Sequence, residues 1–232
     1  MSAYSVSALE ILRNPALTLK WYVVPMLLIV MYIYNKEISA KNWNVVLGGA
    51  ALWGMDLFNE IWNSIVFHAT GFAPVWGTPM GIGDTALLIL IGYNIEISFM
   101  FAMMGVVVCL TLPKDPKMKI LGINNRVFMA VIYTTLAVII ECFLNYAGLL
   151  TWEYPWWSRS VPYLIWLIGY LPFFTMAFVV HDMKKMKNKL ITLGIIFVDI
   201  IALVVFGLMG GCSFSESTKA PERGALFYCY HH

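Results

Sequence analysis

Charge is scarce in this chain: 12% of its 232 residues are Asp, Glu, Lys or Arg, while 60% are apolar or aromatic. That balance excludes a disordered segment and lies outside the composition of soluble domains. Arginine occurs only at Arg13, Arg126, Arg159 and Arg223, and the net charge of +2 comes from scattered lysines. No basic face exists to bind nucleic acid. Cysteine is limited to four, with Cys109 and Cys142 inside apolar runs, so a disulfide-stapled scaffold is excluded. Cys212 and Cys229 could pair if their side is oxidising. The spacings HxxxH, CxxC and HExxH are absent, Gly77, Gly81 and Gly83 are followed by no phosphate-loop lysine, and there is no Gly-x-Ser-x-Gly elbow. No metal and no cofactor are therefore expected.

What the chain has is length in its apolar runs. Stretches able to cross a bilayer, which takes about 20 residues, cover 16–35, 43–68, 85–112, 126–150, 161–181 and 190–210. This pattern predicts an all-α, polytopic membrane helical bundle of about six transmembrane helices, built as a single membrane domain over 1–232. Ahead of Asn14-Pro15, the segment Ser7-Ala8-Leu9-Glu10-Ile11-Leu12-Arg13 carries its apolar residues on one helical face. It predicts a short interfacial helix, too polar to span. No basic region followed by an apolar core and a cleavage site opens the chain, so the first span is expected to be retained.

Orientation follows from the cations. Lys36, Lys41, Lys114, Lys117, Lys119, Arg126, Lys184, Lys185, Lys187 and Lys189, ten of the fifteen, fall on one side. The positive-inside rule places that side in the cytoplasm, and both termini with loops 69–84 and 151–160 outside. Those outer loops are rich in Trp, Tyr and Pro, as in Phe72-Ala73-Pro74-Val75-Trp76 and Trp152-Glu153-Tyr154-Pro155-Trp156-Trp157. They read either as an aromatic belt or as a lid over an outward-facing site. The tail 211–232 is polar, then aromatic.

The chain also resembles itself. An offset of 81 aligns Glu60 with Glu141, Thr70 with Thr151, Pro74 with Pro155 and Trp76 with Trp157. An offset of 77 then aligns Leu90-Ile91-Gly92-Tyr93 with Leu167-Ile168-Gly169-Tyr170. The units, about 43–112 and 126–182, both begin on the cytoplasmic side, which makes this a parallel internal hairpin repeat.

Five acids fall inside the predicted spans: Asp56, Glu60, Glu96, Glu141 and Asp199. A charge near the bilayer centre costs a few kcal/mol, so each needs a partner or a role. Asp56, Asn59, Glu60 and Asn63 follow i, i+3, i+4, i+7 and share one helix face, with Trp53 and Trp62 nearby; Glu141 and Asn145 repeat the i, i+4 spacing. At about 1.5 Å per residue, Glu60 and Glu141 lie at similar depth, about 12–13 Å below the outer end.

Two facing carboxyls in a low dielectric cannot both ionise, so one serves as general acid beside a base or stabiliser. Tryptophan and tyrosine faces stabilise a nearby cation. Glu60, Glu141, Glu96 and Asp56 are the candidate catalytic groups. Asn59, Asn63, Asn145, Trp62, Trp76, Trp157 and Asp199 are the candidate substrate-binding ones. The competing reading is a stripe that joins helices through Asn–Glu hydrogen bonds.

The Asn59-Glu60-Ile61-Trp62 run, the second-half Glu141 and the Trp-Pro-rich loops resemble those of integral-membrane terpene cyclases and carotenoid cyclase/hydratase-type enzymes. The resemblance covers about 50–182. It implies acid-initiated cyclisation or hydration of an isoprenoid or similar lipid, needing neither metal nor nucleotide, with Glu60 and Glu141 as its acids. The expected partners are a lipid-like small molecule and membrane lipids, with a membrane protein or a second copy as a further possibility. Two other classes compete: a small cation- or proton-coupled transporter, and a structural or assembly subunit of a membrane complex.

Overall fold

The structure is a computed structural model, and it describes residues 1–12, 20–78, 87–198 and 201. Helix α1 (Ala3–Leu12) precedes α2 (Val23–Ser39) and the long α3 (Trp43–Thr70). Strand β1 (Trp76–Gly77), the β2–β3 turn (Leu88–Leu90 and Tyr93–Asn94) and α4 (Ile95–Leu110) follow. A tight hairpin, β4 (Lys119–Ile120) and β5 (Ile123–Asn124), leads to α5 (Asn125–Tyr146). After β6 (Thr151–Trp152), α6 runs over Pro162–Asp182 with a π-helical turn at Ile165–Tyr170. Residues 186–198 form α7.

Helix α3 is the axis of the bundle, packed mainly on α4 and α6; α2 leans on α4, and α5 on α6. The contact with α4 closes where two glycines meet: a Cβ on Gly105 would lie 2.5 Å from the Gly49 carbonyl oxygen. Around it, Leu52, Phe101, Val106, Phe174 and Ala177 form the main core. Helix ends are closed locally. The Asn94 side chain accepts from Ile97 N at 2.9 Å to cap α4, and α3 stops at left-handed Gly71 (φ 60°), whose N–H returns to Phe67 O.

The outward faces fit hydrocarbon. Leu27, Leu28 and Met31 on α2, and Ile132, Leu136, Ile139 and Phe143 on α5, are exposed. An apolar surface of that extent is costly in water. Among the described residues two helices are both long and apolar enough to cross a membrane, Asn125–Tyr146 and Pro162–Asp182. The other expected spans differ from expectation for identifiable reasons. Helix α2 has 17 residues and α4 only 16, because 88–94, read from its apolar sequence as part of the third span, instead forms the β2–β3 turn. Helix α3 has 28 residues, but its acids and amides dilute its apolar character. The expected span 190–210 begins earlier, at 186, and its later part lies outside the described residues.

Among the described residues, three two-stranded pairings interrupt the expected all-α architecture. One joins the two outer loops, with Trp76 opposite Trp152 and Gly77 opposite Thr151. The repeat segments ending in Tyr93 and Tyr170 take different backbones, a turn in the first and a π-helical turn in the second.

Helix α1 packs on the bundle. Its Tyr4, Ala8 and Leu9 are buried against Phe67, Leu88 and Ile91. The Tyr4 hydroxyl donates to Ile91 O and accepts from Thr78 N at 3.1 Å. Burial pushes that phenol up to about 12, so it stays a neutral donor. At the opposite end Arg126 grips Asp182 through two bonds of 2.6 and 2.9 Å. Buried Lys189 donates to the carbonyls of Val180 and His181, closing the carboxyl end of α6.

Gly105→Leu is expected to lower the melting temperature of the detergent-solubilised protein, because overpacking a closed contact costs about 1–3 kcal/mol. Gly194→Ala in α7, where an added Cβ meets nothing within 4 Å, is expected to raise it slightly. A thermal scan of both variants checks the contrast.

Candidate intramembrane site

The polar face of α3 turns inward. Asp56, Glu60 and Asn63 are all buried, at 2%, 4% and 0% exposure, and Asn59 is half-buried beside them. Above the stripe, Asn63 clamps the incoming outer loop. Its Oδ1 accepts from Val75 N at 2.6 Å and Trp76 N at 3.3 Å, and its Nδ2 donates to Trp76 O at 2.9 Å. This fixes Trp76 over the stripe, where its indole Nε1 donates to Glu60 Oε1 at 2.7 Å. There is no room for a side chain at Gly92 beneath the loop: a Cβ there would lie 2.4 Å from Asn63 Nδ2.

The second carboxyl comes from α5. Tyr170, at the end of the π-helical turn of α6, donates its hydroxyl to Glu141 Oε1 at 2.7 Å. Asn59 donates to the Gly169 carbonyl in the same turn, at 3.5 Å. Pro172 explains the local irregularity, since it removes a backbone donor from the interior of α6. Each of the two aligned glutamates thus receives one hydrogen bond from an aromatic side chain. The aligned tryptophans meet as well, the rings of Trp76 and Trp157 lying 5.5 Å apart.

Between these elements is a cavity of about 460 Å³. Asp56, Glu60, Glu96 and Glu141 all line it, so the four candidate catalytic acids share one space. Glu96 enters from the first turn of α4 and accepts from the Tyr22 hydroxyl at 2.5 Å. Glu141 lies within electrostatic reach of Glu60, and both lie within reach of the Tyr170 hydroxyl. Below the acids the wall is apolar, formed by Met100, Phe101, Met104, Ala137 and Phe173. Helices α4 and α5 are not closely packed on each other. Met100 of α4 and Ile140 and Leu144 of α5 line the cavity and are exposed residues, which puts its accessible side between these two loosely packed helices.

The binding residues expected from the sequence divide. Asn59, Trp76 and Trp157 line the cavity, whereas Asn63, Trp62 and Asn145 do not. Asn63 is the loop clamp. Trp62 stacks on the outer side of Trp76 at 5.9 Å, and Asn145 donates to Leu150 O at 2.9 Å, closing the turn after α5. Both are displaced from the cavity because their helix positions turn them towards lipid or loop. Asp199 lies outside the described residues. Sequence reasoning overlooked Tyr170, whose signal was its alignment with Tyr93 and its place just before Pro172.

A protein from Archaeoglobus fulgidus, described only as uncharacterized, is 53% identical over 204 residues, covering 87% of this chain and 95% of that one. A second, shorter uncharacterized protein of the same organism is 46% identical over 48 residues, which is 20% of this chain and 86% of its own length. No solved structure matches. A family model matches residues 2–208, and on that match this helical, lipid-faced chain belongs to a family described as an uncharacterized membrane protein family.

Proposed function

We propose that the chain is a multi-pass membrane enzyme using paired carboxyls for acid–base chemistry on an isoprenoid or other lipid-like substrate. The observation that carries this reading is the convergence of Asp56, Glu60, Glu96 and Glu141 on one apolar-walled cavity whose accessible side lies between α4 and α5. In this reading the six helices α2–α7 all cross the bilayer and both termini are extracytoplasmic.

The chemistry would run as follows. A carboxyl of the Glu60–Glu141 pair gives its proton to one carbon of an alkene, forming a C–H bond and leaving a cation on the adjacent carbon. A second double bond captures that cation in cyclisation, or water captures it in hydration. The proton then released returns to the carboxylate, so no electrons are gained or lost. The faces of Trp76, Trp157 and Tyr170 line the space in which the cation would form and would stabilise it. Trp76 and Asn63 donate to the two oxygens of Glu60, at 2.7 and 3.5 Å, and Tyr170 holds one oxygen of Glu141. Among the described residues nothing bonds the other oxygen of Glu141, which leaves it for the substrate.

The apolar wall of Phe101, Met104 and Phe173 below the acids favours a pocket over a conduit, since an ion pathway would need polar groups continuing to the basic side.

Glu60→Gln and Glu141→Gln are each expected to leave the melting temperature nearly unchanged and to cut turnover by about a hundredfold or more, the usual weight of general acid–base groups. Turnover can be read without a known substrate. The protein in vesicles is incubated with a lipid extract in heavy water, and solvent deuterium carried into carbon positions is measured by mass spectrometry. Equal labelling by wild type and both variants would end the assignment.

A further inference from the structure

The cavity also restricts the head group of what it holds. We infer that its ligand is a single-chain lipid whose polar end carries no negative charge: an alcohol, an amine or an unfunctionalised isoprenoid terminus, and not a phosphate, diphosphate or carboxylate. This deepens the reading above and rests on the same cavity being the substrate site.

Three observations carry the inference. Among the described residues, none of those lining the cavity is Lys, Arg or His, while four are Asp or Glu. An anion drawn out of water into that space would meet no counter-charge, and this holds whether the acids are ionised or neutral. Size is the second limit. At about 30 Å³ per water-sized group, 460 Å³ holds roughly 15 non-hydrogen atoms. That space takes a small polar end and the first part of one alkyl or isoprenyl chain, whose far end passes between Met100 and Leu144 into the bilayer.

The third observation concerns the polar end itself. Glu141 lines the cavity with one oxygen held by Tyr170 and, among the described residues, no bond to the other. A hydroxyl at the polar end could donate to that oxygen, and an amine could donate to the acids while facing the Trp76 and Trp157 rings. A phosphate would confront the acids.

The test is binding, independent of turnover. Bromine-labelled hexadecanol, and the same chain as amine, carboxylate and monophosphate, are titrated at low mole fraction into unlabelled vesicles containing the protein. Tryptophan quenching is compared between wild type, Trp157→Phe and Ala137→Phe, which fills the cavity without adding an indole; the melting temperature of each variant verifies folding. The expected result is saturable quenching by the alcohol or the amine, reduced in Trp157→Phe and lost in Ala137→Phe. The carboxylate and monophosphate should bind about tenfold more weakly or worse, a gap of 1.4 kcal/mol or more. Equal or tighter binding of either anion, or quenching that never saturates, would overturn the inference. Selective binding without deuterium incorporation into any lipid would leave it standing and remove the enzymatic reading instead.

Discussion

A bundle whose outer faces are bare hydrocarbon tolerates several carboxyl groups only if it closes around them, and that constraint orders this structure. Asp56, Glu60 and Asn63 lie on one stripe of α3, so α3 must become the axis with its polar face inward. Once it does, the acids need neutral hydrogen-bond donors in place of cations. Trp76 and Tyr170 supply them, each delivered by a segment that departs from regular helix. The clamp of Asn63 on Val75 and Trp76 follows from the same need, because the loop must be held for its indole to reach Glu60.

The same demand leaves space. Aromatic donors reach two of the acids from β1 and α6, and α4 and α5 do not close over the gap. A structural stripe whose only task was joining helices would be expected to use Asn side chains directly between helices. Here Asn59 alone of the three bridges helices, reaching the Gly169 carbonyl of α6; Asn63 holds the outer loop and Glu60, Asn145 closes a turn, and the carboxyls face a cavity. The site is thus preorganised by groups that are themselves tied to backbone, an arrangement suited to holding a ligand in one orientation.

Much of this was legible in the sequence because it rests on periodicity. The i, i+3, i+4, i+7 spacing of Asp56, Asn59, Glu60 and Asn63 fixed a common face, and the self-alignment paired Glu60 with Glu141 and Trp76 with Trp157, residues that do come together. Local backbone choices were not legible. The turn at 88–94 is built from Leu88, Ile89, Leu90 and Ile91, which read as helix by composition, and at its tip Gly92 passes too close to Asn63 and Trp76 to carry a side chain. The π-helical turn that presents Tyr170 was signalled only by Pro172. Trp62 and Asn145 looked equivalent to their neighbours in spacing, and only the packing of the loops decided that they face away from the cavity.

The claim at the centre of this account is that the acids border a ligand site open to the bilayer. Native mass spectrometry of the protein released from the membrane in which it is made tests it most directly, with Ala137→Phe as the comparison. The account predicts that wild type retains one small, non-phosphorylated lipid-like molecule that the filled variant lacks while both remain folded. The same lipid complement on both proteins would contradict it.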